Sequence, residues 1–132
     1  MEEPDARPLA WVGNSKKDFI GFPARVQDDF GYRLYEVQIG ATPYPPAKPM
    51  VAGVLKGLGI HELVLDHDGD TFRAVYTVKL QGVVYVLHAF QKKSKTGIAT
   101  PRQEIELIRS RYTMAAEHHA RFRIAGKGTS KM

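Results

Sequence analysis

The apolar positions along the chain follow two different periods. Val26, Phe30, Leu34 and Val37 recur at spacings of four, four and three, the stripe of an amphipathic helix. Pro23 suits the first turn of that helix and Gly40 its end. Upstream, Asn14 or Ser15 can cap a short helix through Phe19 and Ile20, closed by Gly21 and by Phe22, which stands before a proline. Downstream the period falls to two. Glu62–Leu65 reads as a short strand and Asp66–Asp70 as turn chemistry. Over Thr71–Lys79, Phe72, Ala74, Tyr76 and Val78 form one strand face, and Arg73, Val75, Thr77 and Lys79 the other. Leu80, Gln81 and Gly82 then reverse the chain into Val83–Phe90, a β-branched and aromatic run with the composition of a strand buried on both faces. By strict alternation His88 shares a face with Val84, Val86 and Phe90.

The last helix is announced by Thr100-Pro101-Arg102-Gln103, a capping box with proline at the first helical position. Ile105, Ile108, Tyr112 and Ala115 make its buried stripe, which leaves Arg102, Arg109 and Arg111 facing solvent or a partner. From His118 the periodicity is lost and a fraying basic tail is expected, with the adjacent His118 and His119 at the surface. Residues 1–14 read as a mobile lead-in, although Leu9, Trp11 and Val12 are apolar enough for a first edge strand. Ala41–Gly59 holds four prolines and reads as a loop that covers the core opening or reaches a partner. The expected fold is α+β: two N-terminal helices, a small antiparallel sheet of three to four strands and a C-terminal helix. It forms a single domain over 1–132, with a core of about 15–115 and flexible ends at 1–14 and 118–132.

Composition narrows the class. With 132 residues, 43% of them hydrophobic, the chain suits one globular domain. It has no cysteine, which excludes disulfides, thiolate zinc sites and a cysteine nucleophile. The amino terminus lacks the features of a signal peptide and no apolar run reaches the length of a membrane span, so a soluble, cytoplasmic protein is expected. Net charge is +5, unevenly spread. Met1–Val78 carries 8 Lys/Arg against 11 Asp/Glu, whereas Lys79–Met132 carries 11 against 3. That asymmetry suits a surface that attracts phosphate backbones or an acidic protein.

The candidate chemistry lies where the apolar strand leaves the core. Lys92, Lys93 and Lys95 put three cations within four positions, and the preceding strand adds Arg73. A rigid strand delivering cations to its exit builds a site for a polyanion. Blander readings stand beside this one: Arg73 paired with Asp66 or Glu62, and Lys92 and Lys93 as gatekeepers against aggregation. His88 reads as a hydrogen-bonded core histidine, or as a proton-transfer group if it opens toward the cations. Asp66, Asp68 and Asp70 do not make a calcium loop, because the glycine is at the wrong offset and no glutamate closes it.

Taken in order, LKGLG, TFRAVYTV and VYVLHAFQKK behind two helices and a long loop resemble the RelE/HigB superfamily of toxins, in particular its phage-derived HigB-like branch. The motifs are Phe72-Arg73-Ala74-Val75-Tyr76, then Leu87-His88-Ala89-Phe90-Gln91-Lys92-Lys93, then Thr100-Pro101. The resemblance spans about residues 15 to 115. It implies the toxin of a type II toxin-antitoxin pair, a ribosome-dependent endoribonuclease that cuts messenger RNA by attack of the ribose 2′-hydroxyl, without a metal or other cofactor. It also implies a cognate antitoxin, often of helix-turn-helix type, held in a hetero-oligomer. Arg73 and Lys92 or Lys93 match the cations that stabilise the phosphate, with Lys56 and His88 as candidates for proton transfer. One departure stands out: many relatives carry an arginine after a Glu-Leu pair, where this chain reads Glu62-Leu63-Val64. Two alternatives remain, a non-catalytic RNA- or protein-binding module and a gyrase-poisoning toxin on the same fold.

Overall fold

The computed structural model describes residues 5–92 and 100–130, with side chains as far as residue 121. The elements in chain order are β1 (Leu9–Trp11), α1 (Ser15–Ile20), α2 (Ala24–Gln38), β2 (Lys48–Pro49), a 3-10 turn (Gly53–Leu55), β3 (Ile60–His67), β4 (Asp70–Thr77), β5 (Val84–Lys92) and α3 (Arg102–Ser130). The fold is α+β, three helices against a five-stranded sheet of order β1-β5-β4-β3-β2. The sheet exceeds the expected three or four strands. It is also mixed, since β1 runs parallel to β5 while the other pairs are antiparallel. The extra strands are three and two residues long, too short for a period to be read from sequence. Residues 9–11 thus form an edge strand, the alternative that Leu9, Trp11 and Val12 allowed, rather than part of a mobile lead-in.

Two apolar layers hold the sheet. On one side the α2 stripe of Val26, Phe30, Leu34 and Val37 is buried against Leu63, Phe72, Ala74, Tyr76, Val84, Val86 and Ala89. Trp11, Phe19, Phe22, Phe30 and Phe72 form a chain of tilted and edge-on rings there, with centroids 5.0 to 6.5 Å apart. On the other side Ile108 and Ala115 of α3, with Leu55 of the 3-10 turn, cover Ile60, Val75, Tyr85 and Leu87. Asp68 and Gly69 both have positive φ, 51° and 82°, and make the tight two-residue turn that joins β3 to β4.

The β4–β5 ladder contains one register shift. Thr77 faces Tyr85 and Tyr76 faces Val86, but Val75 faces His88. Leu87 is the extra residue of a bulge, so Leu87 and His88 both point toward α3. His88 therefore does not share a face with Val84 and Val86, as strict alternation predicts; Phe90 moves with it to the α3 side.

The C-terminal helix departs from expectation in two ways. It does not fray at His118 but continues to Ser130, and His119 is buried with its Nε2 donating to the carbonyl of Gln81 at 2.8 Å. His118 Nδ1 lies 2.9 Å from the Tyr85 hydroxyl. These two histidines pin the helix to the start of β5, which is why the loss of an apolar stripe there does not release it. Among the described residues no helix is long and apolar enough to cross a membrane.

Candidate functional site

Residues opposed in an antiparallel ladder point to the same side of the sheet. Val64, Arg73 and Phe90 are aligned across β3, β4 and β5; Glu62, Val75 and His88 form the next row, and Asp66, Thr71 and Lys92 the row on the other side. Glu62, Arg73 and Lys92 thus lie on one diagonal across three strands, on the side that carries α3.

Arg73 donates from Nη1 to Glu62 Oε1 at 2.6 Å, with the two side chains only 12% and 10% exposed. Glu62 is thus one of the two partners that the bland sequence reading allows for Arg73. The pair does not use up its members. Among the described residues, Glu62 Oε2 and Arg73 Nε are buried without a hydrogen-bond partner. A buried polar atom left unpaired costs about 1–3 kcal/mol, so the arrangement holds an acceptor and a donor in reserve at a stability cost. Lys92 is buried beside them. Burial pushes its ammonium below the ordinary lysine pKa and the like charge of Arg73 pushes it further, while Glu62 opposes the shift. Two cations and a carboxylate held this way can neutralise a phosphate and exchange a proton with it.

His88 stands beside this diagonal but faces away from it chemically. Its ring stacks on Phe90 with centroids 4.7 Å apart, Nε2 is bonded to the Glu104 carboxylate and Nδ1 lies 3.1 Å from Arg111 Nη1. Both nitrogens are engaged within the protein, as the hydrogen bonding of a core histidine requires. Burial lowers its pKa first of all; Glu104 raises it and Arg111 lowers it. Arg111 is itself buried rather than facing solvent, with Nη1 also donating to the carbonyl of Leu87 at 3.0 Å. Its place is legible in retrospect, since position 111 stands three after Ile108 and four before Ala115 on the buried stripe.

Lys56 is not brought to the cations. Its neighbours Gly57 and Leu58 are bonded by Lys79 and Thr77, at the far end of β4. Four residues of extended strand separate Thr77 from Arg73, about 13 Å. Lys93 lies outside the described residues, as does the loop read at Ser94–Ala99. Val64, where many relatives of the resembled superfamily carry arginine, sits directly across from Arg73. Among the described residues no group of His, Asp and Glu side chains is arranged to hold a metal ion.

Comparison with known proteins adds a family. The family model described as phage derived protein Gp49-like matches residues 17–113. No curated protein matches the sequence. Among solved structures, the chain is similar to a mutant of the E. coli toxin RelE in the free state, at 19% identity and TM-score 0.49, covering 83% of this chain and 97% of that one. It is also similar to a chain of the toxin-antitoxin complex RelBE2 from Mycobacterium tuberculosis, at 14% identity and TM-score 0.42, covering 71% of this chain and all of that one.

Proposed function

This chain belongs to the family of Gp49-like phage-derived proteins, and we propose that it is the toxin of a type II toxin-antitoxin pair, an endoribonuclease that cuts messenger RNA on the ribosome. The observation that carries the reading is the diagonal of Glu62, Arg73 and Lys92, with a buried donor and a buried acceptor left without partners among the described residues. It lies within the matched segment, and Arg73 and Lys92 stand in the motifs that resemble the HigB-like toxins.

The chemistry follows from what each group can do. Arg73 and Lys92 hold the non-bridging oxygens of the scissile phosphate and stabilise the charge that builds on them in the transition state. Glu62 accepts the proton of the ribose 2′-hydroxyl as that oxygen attacks phosphorus. The bond to the 5′ oxygen breaks, a 2′,3′-cyclic phosphate remains, and Lys92 supplies the proton that the leaving oxygen takes. A lowered lysine pKa favours that last transfer. Glu62 and Lys92 thereby replace His88 and Lys56 as the proton-transfer pair. A cognate antitoxin with an acidic segment would neutralise the protein by covering the cations, and the pair would form a hetero-oligomer in the cytoplasm.

The test is controlled expression in bacteria with mapping of messenger RNA 5′ ends, beside Arg73→Met and Lys92→Met. New ends within translated regions, absent in both variants, are expected. Growth arrest with intact messages would overturn the ribonuclease in favour of a target such as gyrase. No arrest and no new ends would leave a binding module.

A further inference from the structure

β1 ends opposite Val86, so the remainder of β5 is uncovered by a strand on that side and faces α1. A groove of about 440 Å³ opens there. Its walls are Phe22 and Ala89, both buried, and the half-exposed Phe90, while Lys17, Asp18 and Gln91 are exposed at its rim. Phe90 is also the residue directly across from Arg73. The groove and the charged diagonal are therefore contiguous through one aromatic ring.

We propose that this groove is a nucleobase subsite, which takes the base next to the phosphate held by Arg73 and Lys92 and sets the sequence preference of the cut. The proposal rests on the ribonuclease reading above. Three features fit a base of single-stranded RNA better than a peptide or a lipid. Two of the lining side chains, Phe22 and Phe90, are aromatic, and a base gains about 1–3 kcal/mol by stacking on such a ring. The rim mixes an ammonium, a carboxylate and an amide, the set of donors and acceptors that reads a Watson–Crick edge. The volume, about 440 Å³, falls within the range of small-ligand clefts. Asp18 accepts from an exocyclic amino group or ring N–H, Gln91 offers both a donor and an acceptor, and Lys17 meets a carbonyl or the flanking phosphate.

The experiment has two readouts, one of which needs no cleavage. The four nucleoside 3′-monophosphates are titrated into the chain and followed by amide NMR shifts. Saturable shifts at Lys17–Gly21 and Ala89–Gln91, unequal among the four bases, are expected. Gln91→Ala and Asp18→Asn should level the ranking by tenfold or more. Absence of saturable shifts at these residues, or a ranking indifferent to both substitutions, overturns the subsite. In cells, the same variants should still cut messages but with a relaxed preference beside the cut; an unchanged preference overturns the proposal. If the wild-type chain cuts no message while the nucleotide shifts and their ranking hold, the subsite stands and the ribonuclease reading fails.

Discussion

Arg111 reaches from α3 to place Nη1 3.1 Å from Nδ1 of His88. A guanidinium can only donate, so the imidazole accepts at Nδ1 and carries its proton on Nε2, which donates to Glu104. The folded protein therefore holds His88 neutral. The groups around it are Glu104 and Arg111 of α3 and Asp18 of α1.

The pH dependence follows in sign. The pKa of His88 is lowered from its usual 6.5, chiefly by burial, so the unfolded chain binds that proton more readily than the folded one. The stability it contributes is complete above about pH 6.5 and is lost as pH falls from there toward the folded pKa. Urea unfolding of the wild type from pH 8 to pH 5 should show a decline that His88→Gln does not share. Parallel curves for the two proteins would refute the assignment.

Arg73 and Glu62 should be strongly coupled. Removing one member of a buried ion pair leaves the other charge uncompensated, at a cost of about 3–5 kcal/mol, whereas removing both is much less costly. Glu62→Leu and Arg73→Met should each destabilise strongly, and the double variant should recover most of the loss. A double-mutant cycle by chemical denaturation measures it. Activity, in contrast, should not return in the double variant.

Lys92 should respond to Arg73 from a distance. In Arg73→Gln the like charge that depresses Lys92 is gone, so the lysine titration followed by NMR of its side chain should move upward. Burial, the larger cause, remains, and the ordinary lysine value should not be fully restored. Lys92→Met should slow cleavage by about 100-fold or more, the usual effect of removing one donor aimed at developing charge.

Gly13 should not tolerate a side chain. It has φ +57°, and a Cβ built on it would lie 2.9 Å from Arg111 Nε. The left-handed conformation alone costs an L-residue about 1–2 kcal/mol. Gly13→Ala should exceed that figure in thermal unfolding and weaken the protection of the His88 ring from solvent, because Arg111 must give way.

The helices and the long strands were legible because each carries many residues of one period: the α2 stripe is found buried at all four of its positions. The cation pair of Arg73 and Lys92 was legible as charge placed where an apolar run ends. What escaped has specific causes. β2 is too short to show alternation, and β1 was readable only as an apolar stretch fit for an edge strand. Arg111 and His119 are polar residues at core-facing positions, and a polarity pattern assigns such residues to solvent unless their partners are known. Glu62 could be seen as a partner for Arg73, but its buried Oε2, unpaired among the described residues, shows only once the strands are in register.

The bulge at Leu87 sets the parity of everything that follows it in β5. Counting by twos from Tyr85 without it, Lys92 would emerge on the α2 side of the sheet, opposite Arg73 rather than beside it, and Phe90 would leave with it. Pairing the same residues by strict alternation, with no bulge, would keep the strand, its composition and its motif intact while moving Lys92 and Phe90 away from Arg73. A sequence match to the motif is thus silent about which side chains meet: the same letters bring Lys92 and Arg73 to one face or to opposite faces according to whether the strand takes up one residue in a bulge.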